Sequence, residues 1–220
     1  MVEVTVVIPC HNQGATLRRA VESALDADRI IVVNDASHED VDAFWELRLQ
    51  YHTMCKVSTG SDVPAGVSHA RNLAISHAED KDLIVALDAD DELLPGALKA
   101  LMDAWKPGTF VYGNTIRVDF DGTETFVAAP PPGMITKKTI TQATMCFSRA
   151  DWLAVGGYSP DFNIGAEDWA FALSLYKAGI QPVKIDVAVY RYYVGDAGRA
   201  ARCLQRAPLI AALLKEHYGI

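Results

Sequence analysis

Three short, predominantly apolar runs constrain this chain most: Val4 to Ile8, Ile30 to Val33 and Leu83 to Leu87, each β-branched-rich and each ending in polar residues. A half-buried strand alternates apolar and polar positions, whereas a run apolar throughout reads as a strand covered on both faces, as in parallel sheets flanked by helices. Between the runs, apolar residues at helical spacing predict helices over Ala15 to Leu25, Asp40 to Leu49, Val67 to His77 and Pro95 to Trp105. Pro95 suits a first helical turn, where a missing N–H costs nothing. Strand and helix patterns in alternation predict an α/β fold with a Rossmann-like, mostly parallel sheet. With 220 residues, half of them hydrophobic, folding buries about 70% of the surface an unfolded chain exposes, so the core needs no disulfide or structural metal.

The pattern changes after Trp105. Phe110 to Tyr112 reads as a strand and Ile116 to Val127 as a hairpin turning at Asp121-Gly122, while Pro130-Pro131-Pro132-Gly133 breaks all regular structure. A strand (Thr144 to Phe147), a helix (Arg149 to Val155), a second helix (Glu167 to Ala178) and strands near Val183 and Val189 predict a smaller mixed sheet. The final helix, Ala200 to Tyr218, sets Leu204, Leu209, Leu213 and Leu214 beside Arg202, Arg206 and Lys215. It is expected to pack on the domain, with peripheral membrane contact as the alternative. The chain is expected to form one domain over 1–220, with halves at 1–112 and 113–198 and a C-terminal helix at 199–220.

The charge balance, 20 Lys plus Arg against 28 Asp plus Glu, gives a net −8 and argues against a nucleic-acid binder, whose affinity comes from clustered cations. Cys10, Cys55, Cys146 and Cys203 form no close pair, which predicts free thiols in a reducing compartment. No basic leader opens the sequence and no stretch reaches the 18 apolar residues of a membrane span, so the expected location is cytoplasmic.

Chemistry concentrates at strand ends, where open α/β sheets bind ligands. Asp88-Ala89-Asp90-Asp91 follows the third run directly. Three carboxylates in four residues repel one another unless a cation joins them, and hard oxygen donors at this density suit Mg²⁺ or Mn²⁺ with open positions for diphosphate oxygens. A solvated turn capping the next helix is the alternative. The first run ends at Pro9-Cys10-His11-Asn12 and the second at Asn34-Asp35-Ala36-Ser37. Asp35 could accept a pyrimidine imide hydrogen and Asn34 serve a similar base or ribose contact, or either could cap the following helix. Gly66 to Asn72 places Arg71 on a helix, from which a guanidinium could reach diphosphate oxygens.

In this order, the strings Val6 to Asn12, Val32 to Ser37, Gly66 to Asn72, Asp88 to Asp91 and Gly165-Ala166-Glu167-Asp168-Trp169 resemble family 2 glycosyltransferases of the GT-A fold, from about Val4 to Tyr193. The resemblance implies a nucleotide-sugar site in which Pro9, His11 and Asp35 line the nucleobase pocket, Arg71 approaches the diphosphate, Asp88 lies near the ribose and Asp90 on the metal. Asp168 would be the catalytic base with Glu167 beside it, and Gly156, Gly157 and Trp169 would sit near the acceptor in a second, acceptor-side lobe. Three positions depart from the family: His11 replaces an aromatic residue, Asn34-Asp35 replaces two acids, and Tyr193 stands near the place of a late metal-binding histidine, with His217 too far downstream to assume that role.

The expected activity is inverting transfer of a sugar, most simply from a UDP-sugar, to a hydroxyl of a glycan, lipid-linked or other acceptor, assisted by Mn²⁺ or Mg²⁺. Asp168, with an ordinary carboxylate pKa near 3.9, would be ionised at neutral pH without tuning. A nucleotidyltransferase would want a Gly-rich loop after the first strand, where only Gly14 is available, and a phosphohydrolase an Asp nucleophile where Pro9 and Cys10 stand. A non-catalytic nucleotide-sugar-binding module of the same fold is the remaining alternative.

Overall fold

The computed structural model describes residues 2–38, 54–141, 143–195 and 197–220, without the side chains of 54–56 and 197–204. The expected helix Asp40 to Leu49 lies outside the described residues. The three apolar runs form β1 (Val4–Cys10), β2 (Arg29–Asn34) and β4 (Leu83–Ala86), and β3 (Met54–Ser58) joins them in the parallel order β3-β2-β1-β4. The chain moves outward from β1 to β3 and then returns to β4 on the other side of β1. That reversal opens a crevice beyond the carboxyl ends of β1 and β4.

Each of these strands is buried on both sides, as its apolar run requires, and the one polar interruption, Thr5, gives its hydroxyl to Asp82 at 2.7 Å. Val4, Val6 and Ile8 of β1, with Ile30, Val32, Leu83 and Val85, meet α1 (Gly14–Ser23) and α3 (Ala97–Ala104). Their alternates Val7, Ile31, Val33, Ile84 and Ala86 meet α2 (Val67–Ser76) and α5 (Glu167–Lys177). Two cores therefore flank one sheet. The helix that was expected to start at Pro95 starts at Ala97, because Gly96 takes a left-handed conformation at the cap.

The sheet continues in mixed fashion through β8 (Cys146–Ser148), β6 (Thr109–Val118), β9 (Gln181–Tyr193) and β5 (Glu92–Leu93), with β7 (Glu124–Val127) paired to β6. The hairpin between β6 and β7 turns at Asp121-Gly122 as expected, with Asp119 N–H bonded to the Thr123 carbonyl. Elsewhere the second half is more continuous than the sequence suggests. The strands expected at Phe110 to Tyr112 and at Ile116 are one strand, those near Val183 and Val189 are one strand, and β6 runs across the expected 112/113 division. The proline run is not wholly irregular, since Pro132–Met134 closes a single 3-10 turn. Short α4 (Arg149–Ala154) follows β8, and α6 (Ala197–Tyr218) docks its far end through buried Leu214 and a Ser174 to Tyr218 hydroxyl bond of 2.8 Å.

Parallel β6 and β9 shift register on both sides of Asn114, where Gly113 admits the neighbouring strand. A Cβ at Gly113 would lie 2.7 Å from the Val187 carbonyl oxygen and 2.7 Å from Val189 Cγ1. Backbone cannot yield as a flexible side chain does, so Gly113→Ala is expected to cost about 1–3 kcal/mol of stability, measured as a lowered midpoint in urea unfolding. A midpoint at the wild-type value would refute the bulge as a tight site.

Candidate active site

A cavity of about 610 Å³ opens at the crevice beyond β1 and β4. The end of β1 supplies Pro9 and His11, the end of β2 supplies Asp35, and the turn after β4 supplies Asp88, Asp90 and Asp91. The opposite wall is the segment 163–168, carrying Glu167 and Asp168 at the head of α5, with Ala143 beside them. Four segments distant in sequence thus converge on one space, because each strand or helix end points its polar residues there.

The acidic turn has the donor set expected for a hard divalent ion. Carboxylate oxygens of Asp88, Asp90 and Asp91 all lie within 4.8 Å of one another. Two unit charges at about 5 Å repel by about 3 kcal/mol at an effective dielectric of about 20, a repulsion that a cation placed among them would relieve. Asp91, only 2% exposed, also accepts the Tyr193 N–H at 3.0 Å, which ties the turn to β9.

Arg71, expected to approach a diphosphate, lies behind the cavity wall. Its side chain is fully buried and does not line the cavity. Nη2 donates to Asp88 at 2.6 Å and Nη1 to Glu167 at 2.9 Å, while the Tyr158 ring lies 5.3 Å from the guanidinium carbon. Burial works against the charge, but the two carboxylates more than offset it and hold the guanidinium protonated. Arg71 therefore joins the two acidic walls from behind the cavity. Among the described cavity-lining residues, the Lys or Arg present is Arg206 of α6, whose Nη1 donates to the Ile164 carbonyl at 3.3 Å.

Asp168 is held by two backbone N–H groups, Trp169 to Oδ1 at 2.8 Å and Ala143 to Oδ2 at 3.0 Å. Its pKa is not the ordinary one expected from the sequence. Burial, and then the adjacent Glu167 charge, push it up to about 7, against the pull of Arg71 and of the two N–H donors. Ala143 and Ala166, which cap this wall, both have left-handed backbone, with φ of 69° and 63°.

The remaining expected site residues fall into two groups. Pro9, His11 and Asp35 line the cavity. His11 Nδ1 lies 2.6 Å from the Asp35 carbonyl oxygen, and since a carbonyl only accepts, that nitrogen carries the proton. Both Asp35 carboxylate oxygens accept backbone N–H groups, from Ala65 and Gly66, each at 2.8 Å, so Asp35 shapes the turn into α2 as well as facing the space. Asn34 does not line the cavity; its Oδ1 caps the following turn by accepting Ser37 N–H at 3.0 Å.

Gly156, Gly157 and Trp169 are likewise outside the cavity lining. Gly157 is glycine for packing: a Cβ there would meet Asn72 Oδ1 at 2.6 Å, the atom that receives Trp152 Nε1–H and Tyr158 N–H. The Trp169 indole N–H donates to the Ile135 carbonyl at 2.7 Å, which pins the edge of the partly buried ring there. On β9 it is Tyr192 that lines the cavity and Tyr193 that does not, as strand alternation demands. Sequence reasoning missed Tyr192, Arg206 and the N–H of Ala143; none of them carries a local signal.

A family model described as glycosyl transferase family 2 matches residues 5–153. A glucosyltransferase of Campylobacter jejuni, GalNAc(5)-diNAcBac-PP-undecaprenol beta-1,3-glucosyltransferase, is 28% identical over 121 residues, which are 53% of this chain and 39% of the relative. Among solved structures, TarS 1-349 of S. aureus in complex with UDP-GlcNAc superposes with a TM-score of 0.71 at 15% identity, covering 90% of this chain and 60% of that one. The mannosyltransferase PcManGT of Pyrobaculum calidifontis, in complex with GDP-Man and Mn²⁺, gives 0.71 at 20% identity, covering 93% and 61%. The chain thus spans less than two thirds of each of these proteins. The two structures establish the GT-A fold, and with the family model matching more than half of its residues, the chain belongs to glycosyl transferase family 2.

Proposed function

We propose that this chain is an inverting glycosyltransferase that moves a sugar from a nucleotide sugar, UDP-linked, to an acceptor hydroxyl, with Asp168 as general base. The observation that carries this reading is the opposition of two acidic walls across one cavity: a trio of carboxylates suited to a metal and a diphosphate, and a separate, elevated carboxyl suited to proton transfer. Pro9, His11 and Asp35 would enclose the base. The UDP and UDP-GlcNAc held by TarS and the GDP-Man and Mn²⁺ held by PcManGT support the ligand class.

Asp88, Asp90 and Asp91 would hold Mn²⁺ or Mg²⁺, which when bound supplies positive charge to the leaving diphosphate. Arg206, on the opposite rim, takes the diphosphate-facing role that the sequence reading gave Arg71. Glu167, engaged by Arg71, keeps Asp168 company as a second negative charge and raises its proton affinity. An acceptor hydroxyl attacking from the side opposite the leaving group passes its proton to Asp168, whose two N–H donors fix the carboxyl while leaving a lone pair on each oxygen. A cytoplasmic chain working on a lipid-linked acceptor, the kind named for the C. jejuni relative, accords with the free buried thiols of Cys10 and Cys146, and α6, with Arg206 and Lys215, would be the element to meet a membrane surface.

Asp90→Ala is expected to abolish the Mn²⁺-dependent part of UDP binding in calorimetry, whereas Asp168→Asn keeps UDP affinity and loses at least a hundredfold in turnover, within the usual range for a general base. Full turnover by Asp168→Asn across a panel of nucleotide sugars and acceptors would remove the base assignment. A base works in its ionised form, so with a pKa of about 7 turnover is expected to fall tenfold per pH unit below that value and to level off above it, in a pH-rate profile at saturating substrates. A flat profile from pH 5 to 8 would contradict it.

A further inference from the structure

The acidic turn is also gripped from the side away from the cavity. Arg19 of α1 does not line the cavity but a second cleft behind it, and its Nη2 donates to the Asp90 carbonyl oxygen. Its guanidinium carbon sits 3.5 Å from the centre of the Tyr193 ring, and its Nε lies 3.6 Å from Glu92 Oε2. Tyr193 in turn gives its backbone N–H to Asp91. One planar cation therefore touches the peptide of Asp90, the ring of the residue that holds Asp91, and the first residue of β5.

We infer that Arg19 is a positioning residue for the divalent ion: stacked on Tyr193 and bonded to the Asp90 carbonyl, it holds the acidic turn at ligating spacing from behind. The inference rests on the metal reading of the turn. Three converging carboxylates repel one another and tend to spread the turn, and the turn's own Asp91 N–H to Asp88 carbonyl bond of 3.1 Å joins only its ends. Asp88 is held by Arg71, Asp91 by Tyr193, and the Asp90 carbonyl by Arg19. Stacking and directed donation at once require a planar fork, which lysine lacks. A role through charge alone has the opposite sign, since a cation beside the turn repels Mn²⁺ and its removal would tighten binding.

The sign makes the test decisive. Mn²⁺ affinity of the full chain without nucleotide is read from the paramagnetic resonance of free Mn²⁺ for wild type, Arg19→Lys, Arg19→Gln and Tyr193→Leu, with circular dichroism confirming the fold. All three variants are expected to bind about tenfold more weakly, the usual size of a loss behind a metal ligand, although Arg19→Lys keeps the charge. Wild-type or tighter affinity in both Arg19 variants would overturn the brace while leaving the metal site standing. Absence of Mn²⁺ binding by the wild-type chain would overturn the metal reading and the brace together.

Discussion

A guanidinium with no access to water organises this site. Removing such a charge from solvent costs several kcal/mol even after relaxation, and an ion so placed is tolerated only with charge partners in good geometry. Arg71 finds them in Asp88 at the end of the β4 segment and Glu167 at the head of α5, so the same contacts that stabilise the cation join the two walls of the cavity. Losing one partner of a buried pair costs about 3–5 kcal/mol, which couples the integrity of either wall to that of the other. The Tyr158 ring, stacked 4.1 Å from Phe171, lies beside the guanidinium, which has no exposed surface, while its two carboxylate partners reach the cavity.

The same enclosure sets the chemistry of Asp168. A carboxyl beside another carboxylate in a poorly solvated corner holds its proton more tightly, and here Arg71 and two N–H donors only partly reverse that. Division of labour follows from environment: Glu167 lies against the cation and serves as a structural anion, while its neighbour in sequence faces the cavity with raised proton affinity. Both line the cavity, but Glu167 is bonded to the buried guanidinium whereas Asp168 is held by two backbone N–H groups, and so two neighbouring acids acquire different roles.

Much of this was legible in the residues. Predominantly apolar runs announced strands covered on both faces, and polar residues at their ends marked the rim where Pro9, His11, Asp35 and the Asp88 to Asp91 turn meet. What was not legible depends on direction. Nothing local to Arg71 says that its helix points it inward at two acids, and nothing in Arg191-Tyr192-Tyr193 says which tyrosine faces the cavity until the register of β9 is fixed by its neighbours. Gly157 and Trp169 look like cleft residues in the sequence, yet they satisfy Asn72 packing and the Ile135 carbonyl, partners supplied by distant segments. β3 and β5 escaped notice because a short edge strand and a two-residue strand carry too little apolar pattern to register.

Asn12, Ala36, Ala143 and Ala166 are the non-glycine residues with left-handed backbone among those described, at φ of 52°, 53°, 69° and 63°. Each follows or faces an element that ends at the cavity, and each conformation costs about 1–2 kcal/mol for a residue bearing a Cβ. The rim is therefore a region of restricted substitution: β-branched and bulky residues raise that cost further, and glycine removes it only by loosening the loop. Sequence drift at these four places should stay among small and amide residues even where the side chain touches no ligand, a constraint imposed by backbone shape on what this surface can become.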